Sequence, residues 1–246
     1  MAHADLIGHW KMDDNAATPT VLEEVAGLNG TMSVNTDTVT NDGNIGTSLN
    51  FADTHTVTVD NPAPLLGINE FTVSGWIRNP IFVTEGDHWG DTLLSWTNGT
   101  HQERISLELY LDGLASYSDG DAFTGNSYMS EELAWEADTW YHIAFTQQLG
   151  GAMQMYRDGN LLGYRQNPPN RPVPSQIAAT QVEIGCLLGG DNLHGSLDDV
   201  QLYDEQLDGD QIAFLAANPG SPIPEPGTLL LLASGLISLL IWRRRN

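Results

Sequence analysis

Cleaving a glycosidic bond with retention takes two carboxylates about 5 Å apart, one acid and one nucleophile. On a single strand, alternation requires them at even spacing, as in E-x-D-x-E or E-x-x-x-E. Glu132 and Glu136 have that spacing, but they stand with Glu131 in a polar connection. Glu108 and Asp112 share a parity, yet Asp112 joins Gly113 in a turn, and Glu103 and Glu108 have opposite parity. His88, His101, His142 and His194 are scattered, with no Ser-His-Asp order around them. No catalytic residue is assigned, and the chain is expected not to be an enzyme. Sugar binding asks for less: an exposed aromatic platform beside hydrogen-bonding groups. Asp87, His88 and Trp89, between Gly86 and Gly90, offer an indole with two polar neighbours. Burying a glycine-flanked loop costs backbone entropy, so Trp89 reads as a stacking platform or else as simple loop packing. Tyr117 to Tyr128 is a second polar, aromatic stretch, read as a loop.

The elements that must position these residues are mostly strands. The chain has 246 residues, 25 Gly, 12 Pro, 41% hydrophobic and 17% charged residues, which favours a packed all-β core over disorder. Lys and Arg number 9 against 32 Asp and Glu, a formal charge of -23, which argues against a nucleic-acid partner. The lone Cys186 excludes an internal disulfide and a multi-cysteine zinc site. Alternation predicts strands at 6–12, 71–78, 105–110 and 140–147, with Phe71, Val73, Gly75 and Ile77 on one face. Further strands are expected at 92–96 and 182–184, and a last one at 194–203. Ser48–Phe51 and His55–Val59 read as a hairpin around Ala52-Asp53. Asp158-Gly159 predicts a second hairpin, because both central turn positions need positive φ. Asp208 with Gln211 three residues on predicts a capped helix ending at Asn218-Pro219. A dozen short strands with one helix imply a sandwich or jelly roll.

The tail has a different composition. Residues 221–246 hold one acid, Glu225, and three Arg. The uncharged run Thr228 to Trp242 is at the short end for a membrane span. Pro224-Glu225-Pro226, this run, and Arg243-Arg244-Arg245 stand in the order of the PEP-CTERM sorting signal of Gram-negative bacteria, which residues 222–246 closely resemble. The resemblance implies recognition by an exosortase-type sorting enzyme. It implies anchoring in the inner membrane by a helix during export, cleavage near Pro224-Glu225-Pro226, and then display at the cell surface or in the extracellular matrix. Ala2-His3-Ala4 has the small-x-small form of a signal-peptidase site. Residues 1–4 are therefore expected to be the remnant of a cleavage region, with the mature chain starting at Asp5 and the start codon assigned too far downstream. The organisation expected is a jelly roll over 5–217, a Pro-rich linker over 218–227, and a transmembrane helix with Arg cluster over 228–246.

The order of motifs in residues 6–216 resembles the LamG-like jelly roll of the concanavalin A-like lectin/glucanase superfamily. The motifs are Gly8-His9-Trp10-Lys11-Met12-Asp13, Asn29-Gly30, Leu49-Asn50-Phe51, Phe71 to Ile77, Trp140 to Ala144, Met155 to Gly159 and Gly195 to Tyr203. The resemblance implies a concanavalin A-like β-sandwich with Trp10, Trp76 and Trp140 in the core. Related folds often hold a structural Ca²⁺ that ties the first strand to the last. Asp198 and Asp13, with a carbonyl from the Asn29-Gly30 turn, are the ligands that this implies. Adjacent Asp198 and Asp199 would face opposite ways along a strand, one of them toward Asp13. Asp198 either joins a calcium ion or caps backbone amides of the first-strand loop. Three function classes follow: a surface module that binds glycan or exopolysaccharide, an acidic matrix or coat protein that binds nothing specific, and a glycan hydrolase or lyase.

Overall fold

The computed structural model of the protein describes residues 5–52, 54–78, 91–100, 104–110, 112–120, 123–151, 153–163, 172–188 and 192–224, with the backbone alone at 117–120 and 123–129. In chain order the strands are β1 (Leu6–Trp10), β2 (Thr20–Val21), β3 (Gly30–Met32), β4 (Thr40–Asp42), β5 (Thr47–Phe51), β6 (Val57–Val59), β7 (Glu70–Arg78) and β8 (Asp91–Thr97). They continue with β9 (Arg104–Tyr110), β10 (Gly113–Gly120), β11 (Phe123–Met129), β12 (Trp140–Gln148), β13 (Gln154–Arg157), β14 (Asn160–Leu161), β15 (Gln181–Ile184) and β16 (Gly195–Tyr203). Among the described residues two α-helices join them, α1 (Ala63–Leu66) and α2 (Gly209–Ala217).

The strands form two antiparallel sheets. Sheet A runs β14-β13-β12-β7-β16-β5-β4, with β1 also paired to β16, and sheet B runs β11-β10-β9-β8-β15-β6-β3-β2. Alternation builds the core between them. Phe71, Val73 and Ile77 of β7 face Leu94, Trp96, Ile105 and Leu107 of sheet B, all at most 1% exposed. Phe71 and Trp96 pack ring on ring at 5.0 Å. The second hairpin is as expected: Asp158 and Gly159 adopt φ 51° and 79° between the paired β13 and β14. Helix α2 carries the predicted capping box, with Asp208 accepting from the Gln211 amide, and lies on the outer face of sheet A through Ile212 and Leu215.

Three expectations need correcting. Strands β5 and β6 do not form a hairpin, because β5 lies in sheet A and β6 in sheet B. The stretch from Tyr117 to Tyr128 is not a loop but the antiparallel pair β10–β11 at the end of sheet B. Its polar residues hide the strand pattern. Of the three tryptophans expected in the core, Trp10 is there at 0% exposed. Trp76 and Trp140 are half-buried on the outer face of sheet A, where alternation with Ser74 and His142 puts them. Trp140 lies under Arg78, whose guanidinium is 4.9 Å from the ring centre. No helix among the described residues is long and apolar enough to cross a membrane. The expected span, and residues 1–4, lie outside the described residues.

Candidate functional site

Strand β16 does not keep its two aspartates on opposite faces. Asp198 pairs with Trp76 and Gln201 with Ser74, so Asp199 and Val200 together oppose Gly75. Asp199 adopts φ 50°, a left-handed conformation that Asp tolerates better than most residues. The extra residue is a bulge, and it turns both carboxylates to the outer face of sheet A.

Asp198 Oδ2 accepts hydrogen bonds from the amides of Asn44 (2.8 Å) and Ile45 (2.9 Å), while its buried Oδ1 has no partner. Burial pushes its pKa up to about 7 against the pull of those amides, and the charges of Asp199 and Asp13 add to the rise. Asp13 Oδ1 accepts from the Thr47 amide (2.7 Å) and hydroxyl (3.1 Å). The two aspartates thus grip the same turn, residues 43–47, from both ends. Glycines make the close approach possible: a Cβ at Gly43 would stand 2.8 Å from Asp198 Oδ2, and one at Gly46 would stand 2.5 Å from Asp13 Oδ1. The amides that Asp198 caps belong to this turn between β4 and β5, not to the first-strand loop.

Asn29 does not join them. Its side-chain oxygen accepts from the Glu23 amide (2.9 Å) and its carbonyl from the Asp60 amide (2.7 Å). It belongs to a knot around Glu23, whose carboxylate takes four backbone amides, from His9, Val25, Ala26 and Leu28. Burial raises the Glu23 pKa, but those four bonds outweigh it and hold the group low. For calcium, the unpartnered Asp198 oxygen and the Asp13 carboxylate are suitable hard donors. A calcium ion needs six to eight oxygens, of which these would supply only a part. Among the described residues no group of three or more His, Cys, Asp or Glu is arranged to hold a metal.

The outer face of sheet B is different. Register aligns Thr31, Thr58, Glu183, Ser95 and Ser106 across β3, β6, β15, β8 and β9, with Glu108 beside Thr92 in the next row. These alternate with the core residues Val57, Val182, Ile184, Trp96, Ile105 and Leu107, so they point away from the core. Glu108 accepts from the Ser106 and Tyr110 hydroxyls. Glu183 accepts from the Leu188 amide (2.7 Å), and burial pushes its pKa up. Ser95 donates to the Cys186 carbonyl (2.9 Å). The Thr92 hydroxyl, next to Glu108, is buried without a partner. Reading single strands could not place these two carboxylates on one face, because Glu108 on β9 and Glu183 on β15 are related only through their pairing with β8, which stands between them. Asp87, His88 and Trp89 lie outside the described residues, as do Glu225, Pro226, Arg243, Arg244 and Arg245; Pro224 is the last residue described.

Residues 51–213 match the model of the concanavalin A-like lectin/glucanases superfamily. The chain belongs to this superfamily. Residues 222–245 match the PEP-CTERM protein-sorting motif, the mark of an exported, surface-associated protein. Strands β1 to β4 precede the matched span, yet they complete both sheets of this lectin/glucanase fold. The fold is similar to domain 4 of AbnA, a GH43 extracellular arabinanase from Geobacillus stearothermophilus in complex with arabinotriose. That match is 18% identical, covers 87% of this chain and 100% of that one, and has a TM-score of 0.60. It is also similar to Ruminococcus gnavus IT-sialidase CBM40 bound to α2,3-sialyllactose (16% identical, 63% and 86% covered, TM-score 0.52). A Trypanosoma rangeli sialidase is 13% identical with a TM-score of 0.60; the match covers 86% of this chain and 32% of that one. At these identities the likeness is one of fold, shared by hydrolases and binding domains alike. No curated protein matches the sequence.

Proposed function

We propose that this is a surface-displayed glycan-binding protein, carried out of the cell under its PEP-CTERM signal, anchored in the inner membrane by residues 228–246 and released from it by an exosortase-type enzyme. The observation that carries the binding reading is the outer face of sheet B, opposite the one on which α2 packs: Thr31, Thr58, Glu183, Ser95 and Ser106 lie in register across five strands, and Glu108 lies one row on with β8 between it and Glu183, these two carboxylates and the Ser95 and Ser106 hydroxyls being at most 9% exposed. Such groups exchange hydrogen bonds with sugar hydroxyls at little net cost. With a formal charge of -23, the protein repels acidic polymers, so the glycan class is neutral. The Trp89 loop would add a stacking platform, and a calcium ion at Asp198 and Asp13 would be structural. A glycan array probed with the purified protein tests this. Binding to neutral oligosaccharides supports it, and binding to none supports the acidic coat protein instead. The hydrolase reading has Glu108 and Glu183 on one face but with β8 between them; release of new reducing ends from a bound polysaccharide would replace binding with catalysis.

A further inference from the structure

The chain that leaves α2 does not swing free of the sandwich. Residues 219–224 contain three prolines, which lack an amide N–H, so Gly220, Ser221 and Ile223 hold all the backbone donors of this segment. Every one is used. The Gly220 amide donates to Asp199 Oδ2 (2.6 Å), the Ser221 amide to the Asn218 carbonyl (3.1 Å), and the Ile223 amide to the Tyr203 hydroxyl (3.1 Å).

The acceptors are themselves fixed from beneath. His9 Nε2 donates to Asp199 Oδ1 (2.7 Å), and so does Gln201 Nε2 (3.0 Å), while the Tyr203 hydroxyl donates to Gln201 Oε1 (2.6 Å). His9, Asp199, Gln201 and Tyr203 are all at most 4% exposed. The bulge at Asp199 serves this contact, since it aims the carboxylate outward at Gly220. Gly220 sits at φ 75° with its missing Cβ 2.9 Å from Ile45 Cδ1, and Ile223 packs on the cluster of Tyr203, Ile212 and Leu215. Residues 219–223 therefore run beside β16, bonded at Asp199 and again at Tyr203. One residue, Pro224, separates the second bond from Glu225.

We propose that residues 219–223 are a strap by which the folded sandwich restrains its own sorting segment, and that the strap must peel away before a processing enzyme can take up the chain at Pro224-Glu225-Pro226. The proposal rests on the sorting reading of the tail. A processing enzyme needs extended chain on both sides of its cut, and the strap denies it the upstream side. Where opening and closing are fast, cleavage follows the population of the open state. The sandwich then sets the rate at which it is released, and a folded domain keeps its anchor longer than a loosened one.

The test uses the full chain in its native exporting host, with Gly220→Val and Tyr203→Phe, both outside the matched sorting residues. Valine is strained at positive φ, and phenylalanine removes the acceptor for Ile223 while keeping the buried ring. Each variant should be processed faster by about tenfold, the effect of one lost hydrogen bond or comparable backbone strain on the open population. Hydrogen exchange should show the Ile223 amide protected in the parent protein and exposed in both variants. An Ile223 amide that exchanges freely in the parent overturns the strap. So does an unchanged processing rate in variants whose strap is open. Glu225→Ala separates the two ideas: it should stop processing, and if it does not, the sorting reading falls and the strap's role falls with it.

Discussion

The two outer faces of the sandwich both carry buried acids, and the partners of those acids set them apart. On sheet A, Asp198 and Asp199 bind backbone amides far away in sequence, at Asn44, Ile45 and Gly220. On sheet B, Glu108 binds hydroxyls on its own strand and Glu183 an amide five residues on. An acid that holds distant backbone ties segments together, and losing it opens the fold. An acid that holds neighbouring hydroxyls can trade them for those of a ligand. By this criterion sheet A is the structural face, and sheet B is the one proposed to present a ligand surface.

The largest expected break is on sheet A. Asp199→Ala leaves His9 and Gln201 buried without their shared partner and should cost about 3–5 kcal/mol in chemical denaturation. That matches the roughly 3–5 kcal/mol expected for the core change Trp96→Ala. Trp140→Ala, which removes a half-buried ring under Arg78, should cost about 1 kcal/mol.

A pH series sharpens the picture of sheet A. Burial lowers the pKa of His142 from 6.5 to about 4, against the pull of Asp199, while burial raises that of Asp198 from 3.8 to about 7. Between these limits the folded protein keeps Asp198 protonated and His142 neutral, and the unfolded chain does the reverse. The proton counts match, so the pair adds no slope. His142→Gln leaves Asp198 alone, and stability should then fall by up to about 3 kcal/mol as pH rises from 4 to 7. Asp198→Asn leaves His142 alone, and stability should fall by a similar amount as pH drops from 6.5 to 4. Melts in EDTA at five pH values would show both slopes.

Calcium is the next test. At a hundredfold excess over its Kd a structural ion should add about 2.7 kcal/mol, and Asp198→Ala should abolish the gain. A melting temperature equal in calcium and EDTA leaves Asp198 as an amide cap. The smallest effect is expected on sheet B, where Glu183→Gln and Glu108→Gln should each move stability by less than about 1 kcal/mol.

The sequence made the strands legible where alternation is strong, as in β7 and β12, and the α2 cap and the Asp158-Gly159 turn where a local motif is decisive. It hid what depends on pairing. Ala52-Asp53 reads as a hairpin turn until β5 and β6 are seen to join different sheets. Asp198 and Asp199 read as opposed until the bulge opposite Gly75 appears. Asn29 reads as a neighbour of Asp13 until Glu23 claims it. Glu108 and Glu183 stand 75 positions apart in the chain, and only the register of three strands unites them.

The division of labour between the faces rests most directly on a binding measurement with two variants. The parent protein, Glu183→Gln and Asp199→Asn are compared on one glycan array, each after a melting curve. Glu183→Gln should keep its melting temperature and lose binding by at least about tenfold, one charge-assisted hydrogen bond to a sugar hydroxyl. Asp199→Asn should melt earlier and, where folded, bind as the parent does. Undiminished binding by Glu183→Gln, or loss of binding by folded Asp199→Asn, would contradict the assignment of sheet B as the presenting face.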